Sequence, residues 1–175
     1  MKRIITINDL LKYKETPGVW AILGKKEQEW HWLNVAATEN IGDEISEDVY
    51  LMTKKISKRG KEKIYKNYWK EEIFTYKIFS YNKLSKKKLQ EKHRRARWIH
   101  ISETYDELII ICCLENESDS QKRFKIERYI AIKTHALYWN DIKKVDPRNL
   151  DSDEFLDTDN LIKEINKEFG IDEGK

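Results

Sequence analysis

Gly18-Val19-Trp20-Ala21-Ile22-Leu23-Gly24-Lys25-Lys26-Glu27-Gln28-Glu29-Trp30-His31-Trp32-Leu33-Asn34-Val35-Ala36 is the stretch that decides the fold class. Val19 to Leu23 is an apolar run of strand length, Gly24 to Gln28 is a polar turn, and Trp30 to Ala36 is a second strand-like run, so the whole reads as an antiparallel hairpin. Before it, Asn8 or Asp9 is placed to cap a short helix through Leu10, Leu11 and Tyr13, which Pro17-Gly18 ends. After it, Ile41, Ile45, Val49 and Met52 fall at helical spacing, with the Thr38 hydroxyl as the expected cap.

Further along, Trp98-Ile99-His100-Ile101-Ser102 and Leu108 to Leu114 read as strands joined by a turn over 103–107. Helices are expected over 121–137 and from about Asp159 to Phe169, where Leu161, Ile162, Ile165 and Phe169 recur. Ile73 to Phe79 has strand character, and Lys83 to Arg97 reads as a helix or an ordered loop. The expected fold class is therefore α+β: a small, mainly antiparallel sheet flanked by helices. Residues 1–150 form one domain with a basic insertion at 54–97, and residues 151–175 form an acidic C-terminal extension bearing a helix.

Composition agrees with one core. The chain has 175 residues, 39% of them hydrophobic and 37% charged, and its mean hydropathy is −0.80. Charge is well above the usual quarter, yet six Trp, nine Tyr and five Phe exclude a disordered polyelectrolyte. No apolar run is long enough to span a bilayer, and the start, Met1 to Asp9, turns polar before a signal-peptide core forms, so no membrane partner and a cytoplasmic location are expected.

The net charge of +3 hides a segregation. Residues 54–97 carry seventeen Lys or Arg against four acids, a net +13 that leaves −10 for the rest, and residues 151–175 alone hold nine acids and three lysines. Such a block attracts a polyanion, and Tyr65, Tyr68, Trp69, Phe74, Tyr76, Phe79 and Tyr81 within it, with Trp98 just after it, would stack on exposed bases or pack inward. Its densest part supplies the candidate nucleic-acid contacts Lys86, Lys87, Lys88, Lys92, Arg94, Arg95 and Arg97, the arginine forks suiting phosphate oxygens. Nucleic acid is the expected partner; an acidic protein is the alternative.

Other chemistries find no support. Cys112 and Cys113 are adjacent in an apolar run, which gives neither a disulfide framework nor metal-ligand spacing. His31, His93, His100 and His135 are scattered, and the six glycines build no phosphate loop.

The order of these motifs resembles the GIY-YIG nuclease superfamily. Gly18-Val19-Trp20 is similar to its first motif, Asn34-Val35-Ala36 stands at its second, and Thr38-Glu39-Asn40-Ile41 resembles its helix start. Glu127-Arg128-Tyr129-Ile130, with Asn140 thirteen positions on, is similar to its glutamate helix and terminal asparagine. The resemblance covers about 50 residues and implies a GIY-YIG-like core interrupted by the basic insertion. It also implies DNA as the polymer, Trp20, Asn34, Glu44, Glu127 and Asn140 as the catalytic positions, and Glu127 as the ligand of one Mg²⁺. The departures bear on activity: Trp20 and Asn34 replace tyrosines, and Asp43 or Glu44 takes the arginine's place. Indole only donates, an amide is a poor base, and a carboxylate repels phosphate. The expected function is a nucleic-acid-binding protein derived from such a nuclease. The alternatives are a metal-dependent endonuclease with compensating residues and an inert interaction scaffold.

Overall fold

The structure, a computed structural model, describes residues 3–53, 62–65, 72–76, 86–139 and 152–172, with side chains described outside 62–65, 72–76, 86–93, 96 and 152–153. The hairpin is its centre: β2 (Gly18–Lys26) pairs antiparallel with β3 (Glu29–Thr38). Each strand runs further than the apolar pattern indicates. The turn narrows to Glu27 and Gln28, both at positive φ (53° and 69°), the geometry that matches the twist of a two-residue hairpin.

On the other side β2 pairs with β6 (Glu107–Glu115), and β6 pairs with the short β1 (Ile4–Ile5), giving a four-stranded antiparallel sheet in the order β1-β6-β2-β3. Two register shifts fix its faces. In β3, Ile22 lies opposite Asn34 and Leu23 opposite Trp32, so Leu33 is the extra residue of a bulge; in β6, Cys113 is the extra residue between Leu114 and Cys112. A separate antiparallel pair, β4 (Glu62–Tyr65) and β5 (Glu72–Tyr76), falls inside the basic block, and β5 overlaps the strand-like Ile73 to Phe79.

Each face of the sheet carries its own core. Val19, Ala21, Leu23, Trp32, Val35 and Ile111 pack against α3 (Ser120–Lys133) and α4 (Leu156–Phe169). Trp20, Ile22, Leu33 and Cys112 pack against α1 (Ile41–Met52) and α2 (Lys86–Thr104). The helix of the acidic extension thus joins the first core through Leu161, Ile162 and Ile165, and Trp32 Nε1 donates to Asn166 Oδ1 at 2.9 Å.

Several local expectations are corrected. Trp98 to Ser102 is not a strand but the end of α2, which continues to Thr104. Trp98, Ile99, His100 and Ile101 are all buried, and a helix buried on every side loses the polar interruptions that mark its period. The cap of α1 is Asn40, whose side chain accepts from Asp43 N at 3.0 Å, while the Thr38 hydroxyl receives Asn40 N at 3.1 Å one step earlier. The first helix is a 3-10 helix, Ile7–Tyr13, begun at Thr6 rather than at Asn8 or Asp9; the Asp9 carboxylate accepts from Thr6 N and Oγ1 at 3.1 and 2.6 Å. Helix α3 stops at Lys133 instead of 137. His135 takes a positive φ of 51°, and the chain then runs along β3, with Leu137 N donating to Trp32 O and Tyr138 N to Leu33 O at 3.0 and 2.7 Å. Helix α4 starts at Leu156, three residues before Asp159.

Candidate functional site

An open groove lies between the start of α1 and the start of α3, beside the end of β3. Its walls include Glu39, Asp43, Glu44, Glu47, Arg94 and Arg123. Behind it, on the α1/α2 face, lies a layer of polar groups that joins positions named from the sequence to Asp48, which the sequence pattern did not single out.

Trp20 is buried on β2 and its indole Nε1 donates to Glu44 Oε2 at 3.4 Å. Asn34 is buried too, opposite Ile22 and therefore on the same face, because directly paired strand residues share a face. Three of the positions named from the resemblance, Trp20, Asn34 and Glu44, thus lie on one side of the sheet. Glu127 lies on the other, on α3, where its Oε1 accepts from Trp139 Nε1 at 2.8 Å. Asn140 is outside the described residues.

The arginines divide by what they touch. Arg94 Nε donates to Asp48 Oδ1 at 2.8 Å and its Nη2 lies 2.7 Å from that same oxygen, while Nη1 donates to Glu47 Oε2 at 3.1 Å. Arg97 turns inward over the Trp98 ring, its guanidinium carbon 5.2 Å from the centroid, and Nη1 makes a long 3.4 Å bond to the Tyr138 carbonyl. Among the described residues, Arg97 Nε and Trp98 Nε1 are buried and find no hydrogen-bond partner. Arg95 is exposed. The side chains of Lys86, Lys87, Lys88 and Lys92 lie outside the described residues, although their backbone belongs to α2.

Asp48 is the residue at the centre of this layer. It is 2% exposed, and burial drives its carboxyl up to about 7 against the pull of Arg94 and Arg97. Burial pushes Arg97 down. Asp48 escaped the sequence reading because it sits in an acidic helix, Asp43-Glu44-Ile45-Ser46-Glu47-Asp48, where one more carboxylate reads as solvated; its place three and four residues from Ile45 and Glu44 was the available signal. Arg123 was also missed. It is 4% exposed, donates through Nη1 to the carbonyls of Glu117 and Ser118 at 2.8 and 2.9 Å, and holds the loop at the groove's far wall.

Chemically, the layer positions charge and supplies few bases. Burial pushes the phenols of Tyr105 and Tyr138 up, and pushes the Cys112 thiol up to about 11, so none of these is a proton acceptor at neutral pH. Glu127 offers a single carboxylate with one oxygen engaged by Trp139. Among the described residues no group of three or more His, Cys, Asp or Glu is placed to hold a metal ion, and no helix is long and apolar enough to cross a membrane.

The fold and site together define an α+β protein with a four-stranded antiparallel sheet, helices on both faces and a charged layer beneath an edge groove. Comparison with protein-family models, curated proteins and solved structures finds no match for the chain.

Proposed function

We propose that this chain is a nucleic-acid-binding protein, with DNA the polymer it meets, built on a divergent GIY-YIG-like core that has given up hydrolysis. The observation that carries the reading is spatial. Helix α2, the described helix of the +13 block, packs on the sheet face that bears Trp20 and Glu44, through the Trp20–Trp98 stack and the Arg94–Asp48 ion pair. The described helix of the cationic segment and three of the positions named by the resemblance, Trp20, Asn34 and Glu44, therefore share one side of the sheet, while Glu127 lies on the other. A polyanion drawn to that helix meets the side that holds those three.

The strand that begins Gly18-Val19-Trp20 is flanked by its hairpin partner β3 and by β6, and helices follow each of those two strands. The contacts of Glu127 and Glu44 support binding without cleavage. In each case a carboxylate oxygen receives an indole hydrogen, whereas phosphodiester hydrolysis needs a cation opposite the developing charge.

One observation favours the endonuclease alternative. Arg94 and Arg97 bring guanidinium groups from α2 to the face where α1 carries Glu44 in the arginine's place, a compensation from the opposite helix. Mg²⁺ at Glu127 belongs to that alternative alone.

The test is equilibrium binding of the full chain to a short DNA duplex and to its single strand across a salt series. Affinity that falls linearly on a log–log plot supports the reading; no binding of either at low salt refutes it. A nicking assay with Mg²⁺ or Mn²⁺ then separates binder from endonuclease. A co-purifying acidic protein that survives nuclease treatment would favour the scaffold.

A further inference from the structure

Among the described residues, the charged groups around the Asp48–Arg94 pair come from two helices. From α1 come Glu44 and Glu47; from α2 come Arg94 and Arg97. Beside this cluster stand two uncharged groups, the Trp20 indole on β2, which is turned to Glu44, and the Tyr138 carbonyl, which receives Arg97.

The two arginines are not equivalent. Arg94 is one-third exposed and lines the groove, so it has somewhere to go. Among the described residues Arg97 has its Nε buried without a hydrogen-bond partner and no carboxylate within ion-pair distance, and Asp48 is the strongest counter-charge acting on both arginines. Two guanidiniums one helical turn apart, sharing one buried carboxylate, repel each other as soon as that carboxylate loses its charge.

We infer that Asp48 is a proton-operated latch between α1 and the basic helix α2: ionised, it holds Arg94 in the groove wall; protonated, it releases Arg94 to a phosphate of bound nucleic acid. The inference rests on the nucleic-acid reading for its ligand and on the geometry alone for its moving part. With Asp48 neutral, Arg97 stays behind over Trp98 and its field drives Arg94 outward, leaving only the exposed Glu47 to hold it, a contact that water and salt weaken. Mild acid thus adds one phosphate contact to the surface of α2 without moving the helix.

The experiment is a salt titration of a short DNA duplex on the full chain at about pH 8 and about pH 5.5, in wild type, Asp48→Asn and Arg94→Gln. Wild type is expected to steepen its log–log slope by about 0.9 on going to acid, the increment of one phosphate. Asp48→Asn is expected to show the steeper slope at both pH values, and Arg94→Gln the shallower slope at both. Histidine protonation acts on all three proteins alike, so a pH response in Asp48→Asn equal to that of wild type overturns the latch. Carboxyl-carbon NMR of Asp48, with the Arg94 Nε–H signal followed in parallel, reads the moving part without ligand. A midpoint near neutrality with loss of Arg94 protection below it supports the latch even if no nucleic acid binds, in which case only the functional reading falls. A midpoint in the ordinary carboxylate range overturns the latch whatever the chain binds.

Discussion

Trp20 on β2 and Trp98 on α2 stack with ring centroids 6.0 Å apart and planes 20° from parallel. Both are buried, at 1% and 0% exposure, and their contact fastens the basic helix to the central strand of the hairpin. Truncating either ring leaves a cavity in the close-packed cluster that also holds Ile22, Ile41 and Ile101. Trp98→Ala and Trp20→Ala are each expected to cost about 3–5 kcal/mol in urea unfolding. The double variant should cost less than the sum by roughly 0.5–1.5 kcal/mol, the share of the stack itself. Strict additivity would mean that the rings contribute only as separate volume.

Gly18 is the first residue of β2, and a Cβ there would meet the Leu114 carbonyl oxygen across the sheet and Ile41 Cδ1 at 2.8 Å. Backbone cannot yield as a side chain tip does. Gly18→Ala is therefore expected to lower stability by roughly 1–3 kcal/mol, read as a shifted urea midpoint with an unchanged slope.

The hairpin, the face of α1 and the strand over Leu108 to Leu114 were legible because each presents one pattern to one environment: apolar runs of strand length, or apolar residues at helical spacing. Trp98 to Ser102 was illegible for the opposite reason, since burial all round the end of α2 removes the period on which helix and strand are told apart. The site was legible only as charge. Which arginine faces solvent is decided by partners 46 residues away in sequence, as Arg94 with Asp48, and no local pattern announces an ion pair of that separation. Arg94 and Arg95 are neighbours with the same side chain and opposite environments. Helix rotation, fixed by Trp98 and Ile101 packing inward, separates them.

Arg123 holds two loop carbonyls, those of Glu117 and Ser118, with one nitrogen, and its other terminal nitrogen lies 3.7 Å from the exposed Glu39. Removing the guanidinium strips the loop before α3 of charge-assisted bonds inside a nearly closed space. Arg123→Ala is expected to cost about 2 kcal/mol or more and to speed hydrogen exchange at residues 117–119. Glu39→Ala, which touches only the screened side of the same arginine, should change stability by less than about 0.5 kcal/mol.

Asp48 sets a pH dependence whose sign follows from its burial. Its carboxyl is raised in the folded state to about 7 from the ordinary 3.8 by loss of solvent, against the attraction of Arg94. Between those two values the folded chain binds more protons at this site than the unfolded chain, so stability falls as pH rises through that window. The contribution is complete below the unfolded value and is lost above the folded one. Measured as wild type minus Asp48→Asn, unfolding free energy should therefore drop on going from about pH 4 to about pH 8, by an amount on the order of 4 kcal/mol. A difference that rises with pH would mean that Arg94 outweighs burial and that Asp48 is an ordinary ion-paired carboxylate.

Glu127 accepts from the indole of Trp139, which is 3% exposed. The bond ties the middle of α3 to the segment that runs along β3 and explains a carboxylate in a half-buried place without any reaction. Glu127→Gln keeps an oxygen to receive the indole hydrogen, whereas Glu127→Ala leaves that hydrogen buried and unpaired at a cost of roughly 1–3 kcal/mol. An amide oxygen receives the indole hydrogen in the same place, though less strongly than a carboxylate, but it is a far poorer ligand of a divalent cation, which favours anionic oxygen. The Gln variant therefore separates support from chemistry: it should keep wild-type stability and wild-type affinity for DNA. Any nicking seen with Mg²⁺ should be the same in both proteins. Loss of nicking in a Gln variant that remains as stable as wild type would return Glu127 to the metal and restore the endonuclease alternative, with Arg94 and Arg97 as its cations.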